Sequence, residues 1–159
     1  MKRRSVLEVL PKTMNGMLEL EKYIRSTSLS PIIRELIKVR ASEINGCAYC
    51  MDMHTEEAMK IGETPRRLFA TSTWRESPLF TKEERIALKL TEEVTLIGKE
   101  GVTDETYEAA LNTFGEEGTA QVILQAVIIN IWNRFAVAGH SVYESKEDKE
   151  KKTAEVHAG

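Results

Sequence analysis

The stretch that decides the fold is LIKVRASEINGCAYCMDMHTEEAMKIGE, residues 36–63. Asn45-Gly46 interrupts it, because asparagine and glycine tolerate the left-handed backbone conformation that ends a helix and turns the chain. The residues on either side lack such breakers, so we predict one helix over about 31–44 and another over about 47–61. The only two cysteines of the chain would then lie in the first turn of the second helix.

Helix start signals divide the rest of the chain. Ser30-Pro31 and Thr64-Pro65 predict helix starts, because a hydroxyl oxygen can accept hydrogen bonds from free backbone amides and proline lacks an amide that the first helical position does not need. Thr81 and Glu84 form a capping box, in which each side chain satisfies the other residue's backbone amide. The remaining predicted helices span about 13–25, 65–74, 82–97, 103–115 and 119–143, and the third of them would bury Ile86, Leu90, Val94 and Ile97.

No strand is predicted, because the β-branched segment 122–131 lacks two-residue alternation and turn residues. A chain of 159 residues fits one domain. The sequence therefore predicts an all-α, single-domain bundle of about six to seven helices. We divide it into an N-terminal helical segment, 1–29, a core, 30–143, and a charged tail, 144–159, which we expect to be flexible.

Composition excludes several classes of function. The formal net charge is -3 and no basic face is evident, so nucleic acid is not an expected partner. The opening MKRRSVLEVLPK lacks the continuous apolar core of a secretory signal, which favours a cytoplasmic protein. The apolar segment 120–138 carries five polar side chains, so we expect a buried helix there and no membrane span.

The same apolar segment predicts self-association. Its helix is apolar around more of its circumference than one neighbouring element would cover, so we expect an obligate homo-oligomer. Asn130, Asn133 and Arg134 would be costly in such a helix without hydrogen-bond partners. We expect those partners across a subunit contact.

The residues C47-A-Y-C50-M-D-M-H54 carry the candidate chemistry. Intervals of three and four residues place Cys47, Cys50 and His54 on one face of a helix. A helix N-terminus favours the thiolate, and a nearby imidazole can take its proton or stabilise its charge. Two thiols at this spacing allow one to attack and the other to close a disulfide. Proximity to His54 favours Cys50 as the attacking thiol, whereas the helix dipole favours Cys47, so the order of attack stays open.

Glu35 is the fourth candidate residue. On a helical wheel it lies close to Ile32 and Val39, which predicts partial burial. Burial would raise the pKa of this carboxyl group and suit it for proton transfer near neutral pH. A solvated acid opposite Arg34 or Lys38 is the alternative interpretation.

Other interpretations of these residues remain open. The cysteines could be two buried structural thiols, or could bind zinc with His54, although zinc needs a fourth ligand and His140 and His157 offer no paired motif. Tyr49 could pack in the core or line a substrate pocket. Trp74, Arg75 and Phe80 could likewise form a pocket wall, but core packing is the simpler expectation.

A glutamate, eleven residues and then C-x-x-C-x-x-x-H resembles the signature of the alkylhydroperoxidase D-like branch of the carboxymuconolactone decarboxylase family. The segments LIKVRASEINGCAYCMDMHTEEAMKIGE, WRESPLFTKEERIALKLTEEVT and INIWNR extend the likeness over roughly residues 30 to 135. The resemblance implies an all-α fold, trimers or hexamers with sites near subunit contacts, and no metal or organic cofactor. It also implies a proton relay from Glu35 through water to His54 and on to Cys47 and Cys50.

Tyr49 departs from the pattern, because family members with peroxidase activity carry histidine just before the second cysteine. A phenol is a poor proton carrier at neutral pH. The leading hypothesis is a thiol oxidoreductase that reduces a hydroperoxide, or exchanges a disulfide, through Cys47 and Cys50, with an unidentified thiol as reductant. A carboxymuconolactone decarboxylase-type lyase and a non-enzymatic redox-sensing assembly are the alternatives.

Overall fold

The computed structural model describes residues 3–144, 147–148 and 150–151. Its helices are α1 Val6–Val9, α2 Lys12–Ser26, α3 Pro31–Asn45, α4 Ala48–Lys60, α5 Pro65–Ala70, α6 Lys82–Thr95 and α7 Asp104–Gly139, with a 3-10 turn at Thr71–Thr73 between α5 and α6. No strand occurs among the described residues, so the all-α prediction is confirmed. Most of the charged tail, including His157, lies outside the described residues.

Helix α3 holds the bundle together. It packs against α4, α6 and α7. The central core is formed by apolar side chains from α2, α3, α6 and α7, among them Ile24, Ile37, Leu90, Val122 and Ile129. Because α3 touches both the core helices and α4, it fixes the position of the cysteine-bearing helix.

The two helices expected at 103–115 and 119–143 are both present, and they adjoin in the run α7, which breaks at Gly115, where the first was predicted to end. Gly115 has φ 69° and ψ −179°, a conformation that glycine adopts without a Cβ clash. The run ends at Gly139, so the predicted end at Tyr143 is wrong. His140 stops the helix in a left-handed conformation, and its amide bonds back to the carbonyls of Ala136 and Val137.

Two further predictions of detail need correction. The capping box of Thr81 and Glu84 is present, but α6 ends at Thr95, and Ile97 beyond it is 61% exposed instead of buried. The side chain of Ser30 makes no capping hydrogen bond, although α3 begins at Pro31 as predicted.

The polar side chains of α7 find their partners within the chain. Asn45 Nδ2 donates to the Oδ1 atoms of Asn130 and Asn133, at 3.0 and 2.8 Å. Arg134 donates to the carbonyl and side-chain oxygens of Asn130, and Asn133 Nδ2 donates to Ser42 Oγ. The expectation that these groups need a subunit contact is therefore wrong. The bonds instead hold α7 against the end of α3, directly before Cys47.

Helix α7 is the one helix of the described residues that is long and apolar enough to cross a membrane. Length and composition do not separate a membrane helix from the core helix of a globular fold. Val122, Ala126 and Ile129 of this helix lie in the central core.

Candidate dithiol site

The turn between α3 and α4 sets the position of the first cysteine. Gly46 has φ 63° and ψ 35°, so it ends α3 in the left-handed conformation. The backbone amide of Cys47 donates to the carbonyl of Ser42 at 3.0 Å, which closes the turn. Cys47 then adopts an extended conformation and becomes the N-cap of α4, one position before the first helical turn in which it was predicted.

Cys47 and Cys50 form a disulfide, with their Cα atoms 5.3 Å apart. The backbone amide of Cys50 donates to Cys47 Sγ at 3.3 Å, as a cap side chain does at a helix start. Each cysteine is only 1% exposed. Both sulfurs therefore lie below the molecular surface, and Cys47 Sγ receives an amide from the N-terminus of α4.

His54 lies one helical turn after Cys50 and is 6% exposed. Its Nδ1 is 3.1 Å from Glu35 Oε2, so the two side chains touch directly, without the water expected from the resemblance. An ionised carboxylate can only accept hydrogen bonds, so in the neutral imidazole Nδ1 carries the proton and Nε2 keeps its lone pair. Nε2 is buried and has no hydrogen-bond partner within the described chain. It is therefore available to a thiol or a substrate.

Glu35 is partly buried, as predicted, but its pKa is lowered, whereas the prediction was that burial would raise it. Burial, the largest single influence, would raise the pKa of this carboxyl group. The hydrogen bond from His54 and the ion pair with Lys38 Nζ, at 2.9 Å, together outweigh burial and hold the pKa of Glu35 below its ordinary value. Glu35 is therefore a carboxylate at neutral pH and a poor proton acceptor.

A cavity of about 560 Å³ lies beside the second cysteine. Cys50 and His54 are in its wall, together with apolar and aromatic side chains from α1, α2, α4 and the end of α7, namely Leu7, Met14, Met53, Trp132 and Phe135. A volume in this range accommodates a small organic ligand. Cys47 is absent from the wall, so a small molecule in the cavity meets Cys50 first.

Tyr49 also lies in this cavity wall. Its ring meets that of Tyr143 edge to face, with centroids 5.7 Å apart. The hydroxyl of Tyr143 donates to Glu56 Oε2 at 2.8 Å, and this bond raises the pKa of Tyr143. The segment after α7 is thereby held against α4 beside the disulfide.

The remaining candidates have structural positions. Trp74 and Phe80 pack with Leu36 and Leu88 in a second apolar cluster, which confirms the expected core packing. His140 caps α7 and also lies in the cavity wall. Among the described residues, no group of three or more histidine, cysteine or acidic side chains is arranged to hold a metal ion.

Lys38 is the member of the site that sequence reasoning passed over as a surface charge. It is 2% exposed, and it lies in the cavity wall with His54 and Cys50. Its spacing of three residues from Glu35 is the signal that could have found it, because such pairs share a helix face.

These features define a class of small helical proteins with a dithiol at a helix N-terminus, next to a glutamate–histidine pair. The family model of the carboxymuconolactone decarboxylase family matches residues 11–93. The uncharacterized protein YdfG of Bacillus subtilis strain 168 is 41% identical over 136 residues, which is 86% of this chain and 92% of YdfG. The chain therefore belongs to the carboxymuconolactone decarboxylase family.

Solved structures agree with this assignment. ATU0492 of Agrobacterium tumefaciens is a protein of unknown function that has been associated with antioxidant defence under the name AhpD. It superposes on this chain with a TM-score of 0.86 at 34% identity, and the match covers 92% of this chain and 100% of ATU0492. A peroxidase-related protein of Ralstonia eutropha JMP134 with an alkylhydroperoxidase AhpD core shares the fold, with a TM-score of 0.77 at 18% identity over 89% and 76% of the two chains. The alkylhydroperoxidase D-like fold is confirmed. Family and fold support an enzyme of peroxidase-related or carboxymuconolactone decarboxylase type.

Proposed function

We propose that the protein is a cofactor-free thiol oxidoreductase that reduces an organic hydroperoxide, or exchanges a disulfide, through Cys47 and Cys50. The observation that carries the proposal is the position of Cys50, which is bonded to Cys47 and shares a cavity wall with His54. A redox-active pair needs one sulfur that the substrate reaches and a second that closes the disulfide. The reducing cytoplasm, which supplies thiols, is the compartment that suits this cycle.

The first half of the cycle oxidises Cys50. The reduced enzyme presents Cys50 as a thiolate, whose proton His54 has taken at Nε2. The thiolate attacks the terminal oxygen of the hydroperoxide, a sulfur–oxygen bond forms, and the oxygen–oxygen bond breaks. His54 returns the proton to the departing alkoxide, so the products are an alcohol and a sulfenic acid on Cys50.

The second half closes the disulfide. Cys47, activated by the amide of Cys50 and the N-terminus of α4, attacks the sulfur of the sulfenic acid as a thiolate. The departing hydroxide takes up the proton that Cys47 has lost and leaves as water. An external dithiol then reduces the bridge, so one hydroperoxide and two thiols become one alcohol, one water and one disulfide.

Glu35 acts in this cycle by orienting His54. Its lowered pKa keeps it a carboxylate, so it fixes the proton on Nδ1 and stabilises the imidazolium while His54 holds the proton from Cys50. The carboxylate of the serine protease triad has the same task and also stays unprotonated. The relay that the family resemblance implies is thereby shortened to His54 and the cysteines.

The test is steady-state consumption of cumene hydroperoxide with dithiothreitol as reductant. We expect turnover by the native enzyme, and loss of at least a hundredfold in Cys50→Ser and Cys47→Ser, because the cycle needs both sulfurs. In place of the peroxide, a mixed disulfide substrate tests the exchange reaction with the same variants.

The alternatives give different results in this assay. A lyase would decarboxylate a muconolactone equally well in both serine variants. A redox sensor would form the Cys47–Cys50 disulfide once without turnover. Near-stoichiometric zinc that survives dialysis of the reduced protein would favour the metal-site interpretation over the proposed cycle.

A further inference from the structure

Lys38 is a buried cation inside the dithiol site. Its Nζ lies 2.9 Å from Glu35 Oε1, while the other carboxylate oxygen, Oε2, lies 3.1 Å from His54 Nδ1. Its side chain is 3% exposed, and the residue shares the cavity wall with His54 and Cys50. One carboxylate therefore bridges a cation and an imidazole, and all three groups are almost out of contact with solvent.

Burial alone would raise the pKa of Glu35, since a desolvated carboxyl group favours its neutral form. A neutral carboxyl group can donate its proton to an imidazole nitrogen as well as accept from one. His54 could then carry its proton on Nε2. Nε2, which has no hydrogen-bond partner among the described residues, would thereby lose its lone pair. The cation at Lys38 opposes this change because it interacts more strongly with the ionised carboxylate than with the neutral carboxyl group.

We propose that Lys38 is a positioning residue of the dithiol site, which keeps Glu35 ionised and so holds the His54 proton on Nδ1. Its effect on the cysteines rests on the proposed function, because it matters only if His54 Nε2 takes a thiol proton. Its effect on the tautomer of His54 stands without that function.

Other charged groups near this pair are engaged elsewhere. Arg34, next to Glu35 in sequence, donates to backbone carbonyls of α2 and the following turn. The cavity wall also contains charged or titratable side chains from α1, α2, α4 and the end of α7: Arg3, Glu8, Glu21, Arg25, Tyr49 and His140. Arg3 donates to the Ala138 carbonyl, Glu8 caps α1, and Arg25 lies 3.8 Å from Glu21. Lys38 is thus the cation with a direct bond to Glu35 among the described residues.

The decisive variants are Lys38→Met, which keeps the length of the side chain without its charge, and Lys38→Arg, which restores the charge. Glu35→Gln and the double variant Lys38→Met/Glu35→Gln complete a thermodynamic cycle, and the double variant avoids leaving either charge buried alone. Lys60→Met is the matched control, because Lys60 also pairs with glutamates, but on the surface.

Two measurements apply to each reduced variant. Nitrogen NMR of histidine-labelled protein at pH 8 reports which ring nitrogen carries the proton, and only three histidines need assignment. The rate of iodoacetamide alkylation against pH reports thiolate formation without any peroxide turnover.

We expect the native protein, Lys38→Arg and Lys60→Met to carry the His54 proton on Nδ1. Lys38→Met should populate the Nε2–H form and alkylate about tenfold more slowly at pH 7, with its pH profile displaced upward by about one unit. In the Glu35→Gln background, Lys38→Met should change the alkylation rate by less than a factor of two.

A native-like tautomer and pH profile in Lys38→Met would overturn the proposal, as would an equal tenfold loss in the Glu35→Gln background, since Lys38 would then act on the thiols directly. If the tautomer changes as expected but no variant turns over peroxide, the positioning role of Lys38 stands and the proposed peroxidase activity fails.

Discussion

Glu35 Oε2 and His54 Nδ1 meet at 3.1 Å although the two residues are 19 positions apart in sequence. The contact joins α3 to α4 and leaves Nε2 as the free nitrogen of a buried imidazole. Four further consequences of this fold and site can be measured.

The first concerns His54. If its Nε2 takes the thiol proton, His54→Ala should slow alkylation of the reduced protein at pH 7 by about a hundredfold. The rates should converge above about pH 9, where free thiols ionise by themselves. Glu35→Gln should change the rate in the same direction and by less, because it removes the orienting group and leaves the base. Quenched alkylation followed by mass spectrometry measures the rate against pH for both variants. Curves that superimpose on the native curve would show that the N-terminus of α4 activates the thiols without help from His54 or Glu35.

The second concerns the turn before Cys47. Gly46 has φ 63°, and a Cβ there would meet no atom within 4 Å, so Gly46→Ala is opposed only by its backbone conformation. We expect a loss of about 1 kcal/mol in the free energy of unfolding. The control is Gly16→Ala, which lies inside α2 with the same open space and should stabilise the protein by about 0.5–1 kcal/mol. Urea unfolding measures both, and equal signs for the two variants would contradict the account of the turn.

The third concerns Glu92, which accepts hydrogen bonds from Arg40, Trp74 and Arg75. Burial would raise the pKa of Glu92, but these bonds, with Arg75 foremost, hold it below its ordinary value. A lowered pKa in the fold means that the stabilisation is complete above the unfolded value of about 4.3 and is lost as the pH falls through the lower, folded one. Glu92→Gln should therefore melt roughly 5 °C or more below the native protein at pH 7, with a gap that narrows below about pH 4. A difference in melting temperature between the native protein and Glu92→Gln that stays constant with pH would contradict the lowered pKa of Glu92.

The fourth concerns assembly. Large apolar side chains remain exposed on α2 and α7 of the single chain, namely Leu18, Leu20, Tyr23, Val127 and Val137. We expect neighbouring copies of the chain to cover these side chains in a homo-oligomer, for which the family resemblance implies a trimer or a hexamer. Light scattering should give at least three times the chain mass of 18.0 kDa at low micromolar concentration. A mass of one chain would contradict the expectation.

The sequence was informative where spacing alone decides geometry. Three- and four-residue intervals placed Cys50 and His54 on one face of α4, and Asn45-Gly46 marked the end of α3. These predictions depend only on helical periodicity and on the backbone preferences of glycine and asparagine. They require no knowledge of how the helices pack against one another.

Long-range contacts were beyond the reach of sequence reasoning. The acidity of Glu35 depends on Lys38 and His54. Lys38 is buried in a cavity wall that it shares with residues of α1, α2, α4 and α7, which no local pattern reports. Asn130 and Asn133 were assigned to a subunit contact for the same reason, because their partners at the end of α3 lie 85 and 88 positions away.

Trapping of sulfenic acid tests the central claim most directly. Reduced Cys47→Ser and Cys50→Ser are each treated with one equivalent of cumene hydroperoxide and then with dimedone, and the modified peptide is identified by mass spectrometry. Because Cys50 lies in the cavity wall and Cys47 does not, we expect a dimedone adduct on Cys50 in Cys47→Ser and almost none on Cys47 in Cys50→Ser. An adduct mainly on Cys47 would reverse the assigned order of attack, and the absence of an adduct from both variants would contradict the proposed dithiol chemistry.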